Sequence, residues 1–363
     1  MQRKERGYEK TMKQAEKTTM RLAVIGFGGV GKALIRLLED KKETLAGDGL
    51  EIRVNYILEY YGGIYNSGGI DLPELIDFMA KEKDITKFPG GGPQITLETA
   101  LAAGDVDLAV IMTPTNKETG EPGLSFIRSL LAAGVHTVTS DKGPVLVAYN
   151  ELAALAREHG VQLGIGCTTG GALPSVNGGM MDMAGADILS IEGVLNGTTN
   201  FILKDMEENG VSYEEALKKA QECGIAETDP TLDVEGWDTA TKLLILTNVH
   251  MGLSKTLKDV SVEGITRLTK EEVAAAAAEG KKYKLVGKTE KSEDGSLSMT
   301  VRLEKLGPDH LLYGVEGKNK AVRYTCDSLG DLVLIGGASG VTPAAASILR
   351  DIVNIHRGYR FVR

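Results

Sequence analysis

Residues 21–25 read RLAVI, an apolar run of strand length, and GFGGVG then leads into KALIRLLED, whose apolar positions recur at helical spacing. The order is strand, glycine turn, helix. Residues 51–58 predict a second strand, 73–81 a helix, 106–112 a strand, 124–133 a helix and 136–139 a further strand. Strands alternating with helices imply parallel crossovers, so residues 20–150 are expected to form a doubly wound α/β sheet of the nucleotide-binding kind. The glycine-rich stretches 62–69 and 90–92 read as loops within it.

Beyond residue 150 the pattern becomes α+β. Strands are predicted over 161–167, 188–195, 297–303 and 321–325, with helices starting near Pro174 and Asn200. An amphipathic helix over 213–223 opens on a capping box, Ser212 and Glu215, and has Gly224 suited to its end. A long helix over 234–249 would carry Asp233 as its N-cap, which puts Asp238 and Lys242 at i, i+4 on one face. Spacing alone leaves that pair readable as an ordinary surface ion pair.

At 363 residues the chain is long enough for two domains, and 42% hydrophobic with 25% charged residues describes a globular protein. A net charge of −9 offers no basic field for nucleic acid and disfavours anionic membrane surfaces. The apolar runs 243–246 and 274–278 are far too short to cross a bilayer. Cys167, Cys223 and Cys326 are widely separated, and the five histidines stand singly, so neither a disulfide framework nor a transition-metal site is expected. Residues 1–19, rich in Lys, Glu and Arg with no apolar core, read as a mobile extension, with Met20 opening the fold. A cytoplasmic location fits these features.

The turn Gly26-Phe27-Gly28-Gly29-Val30-Gly31 matches GxGxxG in the context that gives that motif meaning. Its first glycine permits the tight turn, the second lets backbone approach a pyrophosphate, and the third lets helix pack on strand. These features predict a Rossmann-type dinucleotide site. Glu59, ending the second strand, stands where a carboxylate would accept the adenosine ribose hydroxyls; the alternative is a solvated loop carboxylate. No Arg or Lys lies between Tyr60 and Gly69 to receive a 2′-phosphate, which leans the cofactor towards NAD rather than NADP.

Six segments taken together, GFGGVG, TPTNKETGEPG, VTSDKGP, IEGVLNGTTNFIL, AETDPTLDVEGWDTATK and GGASGVTPAAASILRDI, resemble homoserine dehydrogenases in order along almost the whole chain from Met20. The resemblance is to the short form, without the regulatory ACT domain. It implies reversible hydride transfer between L-homoserine and L-aspartate 4-semialdehyde with NAD or NADP. It also implies that residues 337–363 return to complete the nucleotide-binding domain, and that 151–336 bind the small-molecule substrate and form a homodimer.

By that resemblance Lys142 and Lys242 are the catalytic lysines, Glu227 and Asp238 hold the substrate ammonium, and Asp233 and Thr198 line the same pocket. Thr113, Thr115, Lys142, Gly224 and Gly340 join the glycine turn and Glu59 at the cofactor. Two lysines converging on one oxygen would depress each other's pKa and yield the neutral amine that oxidising an alcohol needs. The resemblance further implies a sodium ion held by the backbone carbonyls of Gly166, Thr169, Gly171 and Leu173. Asp141 stands where asparagine is usual before the lysine, Gly166 where glutamate is usual, and Met112 where an acidic residue often precedes TPT. These departures keep two alternatives open: a dehydrogenase for another small amino-acid alcohol, and a cofactor-binding paralogue without turnover.

Overall fold

The computed structural model describes residues 18–317 and 319–362. Of the extension expected over 1–19, residues 1–17 lie outside the described residues. Thr18 and Thr19, expected in the extension, already belong to strand β1 (Thr18–Ile25), which pairs in parallel with β2 (Leu50–Glu59).

Five further strands, β3 (Gly62–Tyr65), β4 (Gly91–Gly92), β5 (Leu108–Ile111), β6 (His136–Thr139) and β7 (Leu163–Gly164), complete a sheet ordered β4-β3-β2-β1-β5-β6-β7. From β2 to β7 the neighbours are parallel, as the alternation of strands and helices predicts. Leu108, Ala109, Val110 and Ile111 are wholly buried, the mark of a strand covered on both faces.

The antiparallel edge, β3 and β4, corrects the reading of those glycine-rich stretches as loops over 62–65 and 91–92, while 66–69 and Gly90 stay outside strands. Glycine has little strand propensity, but here the backbones approach too closely for a side chain. A Cβ on Gly63 would lie 2.5 Å from Ile57 O, and one on Gly62 2.7 Å from Gly92 O. The boundary drawn after residue 150 also moves: it falls inside the helix Lys142–Glu158, and β7 beyond it pairs with β6 in the first sheet. The strand expected over 161–167 shortens to β7, and Cys167–Gly170 is a helical turn.

A second sheet, ordered β13-β12-β8-β10-β11-β9, consists of β8 (Ile188–Val194), β9 (Ser261–Val262), β10 (Lys282–Lys291), β11 (Leu297–Leu306), β12 (Lys320–Cys326) and β13 (Asp331–Gly336). The sequence KYKLVGKTEK hides β10, because a lysine occupies an interior position. Lys284 is 2% exposed, with its ammonium donating to Asn200 Oδ1 (3.0 Å) and Val315 O (2.5 Å). The capping box at Ser212 and Glu215 forms as expected, and Gly224 follows its helix at φ +65°.

Asp233 does not cap the long helix. It lies in the short turn Thr231–Val234, and the helix runs Trp237–Met251 from Gly236, whose φ of +87° redirects the chain. Asp238 and Lys242 still share one face of that helix. The last helix, Val341–His356, packs on the helix Gly29–Asp40 and against β6 and β7.

Candidate active site

β1 lies between β2 and β5, where the strand order reverses, and ligands of such sheets bind beyond the carboxyl ends of the strands at that switch. The glycine turn sits there. Gly26, at φ +90°, could carry no Cβ without meeting Met112 O at 2.6 Å, and a Cβ on Gly31 would meet Gly26 O at 2.6 Å. A Cβ on exposed Gly28 would meet nothing within 4 Å. Two glycines therefore permit close packing, and the third leaves open the space where a pyrophosphate would approach the start of the helix Gly29–Asp40. Phe27 is buried, and its N–H donates to Glu59 Oε1 at 2.5 Å. That bond ties the end of β2 to the turn. Gly340 caps the last helix beside the turn, since Val341 Cγ1 lies 3.0 Å from a Cβ placed on Gly29. The chain thus fits a dinucleotide.

The lysines meet on one carboxylate. Lys142 Nζ lies 2.9 Å from Asp238 Oδ1 and Lys242 Nζ 2.5 Å from Oδ2; Lys242 also donates to Leu195 O at 2.8 Å. Lys142 follows β6 in the first sheet, whereas Lys242 and Asp238 belong to the helix Trp237–Met251, so the cluster joins the two halves of the molecule. Burial works against a charged Asp238, but Lys242 and Lys142 outweigh it and hold the carboxyl well below its usual range. Asn196 Nδ2 donates to Asp238 Oδ2 (2.9 Å) and Asp233 Oδ1 (2.7 Å). Sequence reasoning missed Asn196; its place before the helix Gly197–Asn209, as an N-cap accepting from Thr199 N, is the signal that could have found it.

Other expected residues are placed differently. Asp141 does not pair with Lys142: it is 1% exposed and accepts from Gly143 N and Thr113 Oγ1, each at 2.9 Å. Burial raises its pKa, against the Gly143 N–H and the hydroxyls of Thr115 and Thr113. Those threonines thus brace Asp141. Thr198 Oγ1 donates to Ile225 O at 3.2 Å, anchoring the loop that carries Glu227. Glu227 is exposed, and its side chain makes no bond to the lysine cluster. Gly224 ends a helix in the left-handed region and is exposed.

Lys117, from the TPTNK segment, was not foreseen. It is half-buried, with no hydrogen bond or ion pair among the described residues, and burial followed by the charge of Lys142 depresses its pKa while Asp238 and Asp233 oppose. It also lines a cavity of about 580 Å³ with Asn150, Leu244, Asn248 and Lys255; neither Lys142 nor Lys242 borders that cavity.

A family model for homoserine dehydrogenase matches residues 174–353. A homoserine dehydrogenase of Methanocaldococcus jannaschii is 38% identical over 337 residues, covering 93% of this chain and 98% of that protein. The chain belongs to the homoserine dehydrogenase family. An NAD(+)-dependent homoserine dehydrogenase of Pseudomonas canavaninivorans is 34% identical over 94% of this chain and 97% of its own length. A hyperthermophilic archaeal homoserine dehydrogenase mutant, solved in complex with NADPH, superposes with a TM-score of 0.80 at 25% identity over 95% of this chain and all of that one.

Where the family pattern carries glutamate, the space beside Gly166 is filled by Asp351 of the last helix. A Cβ on Gly166 would lie 2.8 Å from each Asp351 carboxylate oxygen. Asp351 is fully buried, accepting from Gly166 N and Asn177 Nδ2, each at 2.8 Å, with Arg350 Nε 3.6 Å away. Burial raises its pKa against the pull of Arg350.

Proposed function

We propose that this member of the homoserine dehydrogenase family, an NAD(P)-dependent oxidoreductase acting on a CH–OH group, interconverts L-homoserine and L-aspartate 4-semialdehyde. The observation that carries this reading is the pair of lysines from opposite halves of the chain meeting on Asp238 beside the dinucleotide crevice. When bound, the nicotinamide supplies the hydride acceptor.

The chain's residues account for the rest. Asp238, flanked by Asn196 and Asp233, presents a carboxylate already kept charged, to which the substrate ammonium is a third cationic claimant. In taking a carboxylate oxygen it displaces the lysine with fewer anchors. Among the described residues Lys142 has Asp238 as its one partner, whereas Lys242 also holds Leu195 O. Lys142 is therefore assigned to exchange the hydroxyl proton, and Lys242 to hold the reacting oxygen. Glu227 would reach the ammonium only if its loop closes over substrate.

Lys117, half-buried within electrostatic reach of the same cluster but with no ion pair among the described residues, is assigned to the substrate's carboxylate. Lys117→Met should raise KM for homoserine by about 10–100-fold, the range of a charged hydrogen bond, and move kcat little. A kcat loss with unchanged KM would refute that role.

The retained carboxylate at Glu59, bonded to the turn, supports NAD over NADP. Residues 18–164 with the last helix would form the nucleotide-binding part, and the second sheet with its helices the substrate-binding and dimerising part. No described helix is long and apolar enough to cross a membrane, and a cytoplasmic homodimer is the assembly we propose. Initial rates of nicotinamide reduction with L-homoserine, in NAD and NADP separately, test the function. Faster homoserine-dependent reduction with NAD is expected. Cofactor binding without turnover would favour the silent paralogue.

A further inference from the structure

A monovalent cation held by the turn 166–173 needs several carbonyl oxygens converging on one point, free of other donors and of competing positive charge. This chain meets neither condition. Gly166 O accepts from Arg350 Nη2 at 3.4 Å, and Leu173 O accepts from Ser175 N at 2.8 Å, so two of the four expected carbonyls are engaged. Two cationic side chains reach the same turn. Lys320 Nζ donates to Gly170 O at 2.8 Å and lies 3.6 Å from a Cβ placed on Gly171, while Arg350 Nη1 reaches Ala172 O at 3.3 Å.

Lys320 comes from β12 of the second sheet and is 6% exposed. Among the described residues no carboxylate lies within ion-pair distance of it. A buried ammonium without a carboxylate is costly unless backbone dipoles solvate it, and that is the service carbonyls give a bound metal ion.

We propose that Lys320, seconded by Arg350, takes the place of the monovalent cation in this chain, which therefore neither binds nor requires sodium at the turn. The pinned turn links β7 to the helix Ser175–Met181 and packs on the loop before the last helix, where a Cβ on Gly337 would lie 2.5 Å from Leu173 Cβ. Lys320 thus acts as a positioning residue between the two sheets. The inference rests on the turn's geometry and holds whichever alcohol is the substrate.

The test compares wild-type protein in sodium, potassium and choline chlorides at equal ionic strength, reading melting temperature, sodium NMR relaxation and initial rate. Equal melting curves and rates, without saturable sodium relaxation, are expected. A saturable sodium effect on any of the three overturns the proposal. Lys320→Ala removes ammonium and stem together; its folding equilibrium in choline should drop by about tenfold, the scale of one charge-assisted hydrogen bond, and sodium or potassium should restore it saturably. Lys320→Met keeps the volume without the charge, so it should show the loss without the rescue. A methionine variant as stable as wild type, or an alanine variant that no cation restores, would each defeat the assignment, and the wild-type salt comparison decides even if neither variant folds.

Discussion

Lys142→Met should lower kcat by about 10²–10⁴-fold, the range for removing a positioned proton-transfer group, while nicotinamide cofactor binding persists. Lys142 is the first residue of the helix Lys142–Glu158, where the positive end of the helix dipole disfavours a cation. A lysine kept at that end, a quarter exposed and bonded among the described residues only to Asp238, serves no evident purpose in stability. Such a breach of a local rule is what a functional group leaves behind. Lys142→Arg keeps the charge but not a readily titrating amine, so it should remain nearly as slow. Lys242→Met should lower kcat as well, but by removing the fixed cation at the reacting oxygen. The two therefore differ in their pH–rate profiles: losing Lys142 abolishes the limb that reports the proton acceptor, and losing Lys242 leaves it. Steady-state kinetics across pH, with cofactor binding followed by fluorescence, checks both. A Lys142→Met enzyme with wild-type kcat would dismiss the proton-transfer role and leave Lys142 as a tether between the two halves.

Asp351→Ala should destabilise the fold by about 1–3 kcal/mol for each of the two buried donors it leaves without an acceptor. The substitution strips acceptors from Gly166 N and Asn177 Nδ2 and leaves the Arg350 guanidinium without its neighbouring carboxylate. Asp351→Asn should cost less, because one oxygen remains to accept. Because the folded pKa of Asp351 is raised, protonation is favoured more in the folded chain than in the unfolded one. Its contribution is then full below the ordinary aspartate value of about 3.9 and is lost as pH rises through the higher folded value. Wild type should therefore gain on Asp351→Asn as pH falls, which denaturant titrations at neutral and mildly acid pH will measure. An Asp351→Ala protein as stable as wild type would mean that Gly166 needs no carboxylate beside it.

Gly166 shows why a sequence departure and its compensation are hard to connect. The missing glutamate is visible at position 166, but the carboxylate that fills its space is 185 residues away. Likewise Asp141 next to Lys142 suggests an ion pair that the fold does not make, because an N-cap carboxylate turns back onto its own helix.

The sequence by itself determined the elements whose periods are covalent in origin: the buried parallel strands β1, β5 and β6, the glycine turn, the capped helix after Ser212, and the one-turn spacing of Asp238 and Lys242. It also determined the family, through six motifs in order. Only the tertiary structure decided that β3 and β4 are strands, since glycine is selected there by another backbone's proximity and not by propensity. The fold alone likewise brought Lys142 across 96 residues to Asp238, set Lys117 nearby with no ion pair among the described residues, and placed Lys320 and Arg350 on the turn 166–173. The physical reason is common to all of these. Local period follows from backbone geometry and is written residue by residue, whereas the partner of a buried charge is set by which surfaces exclude water together.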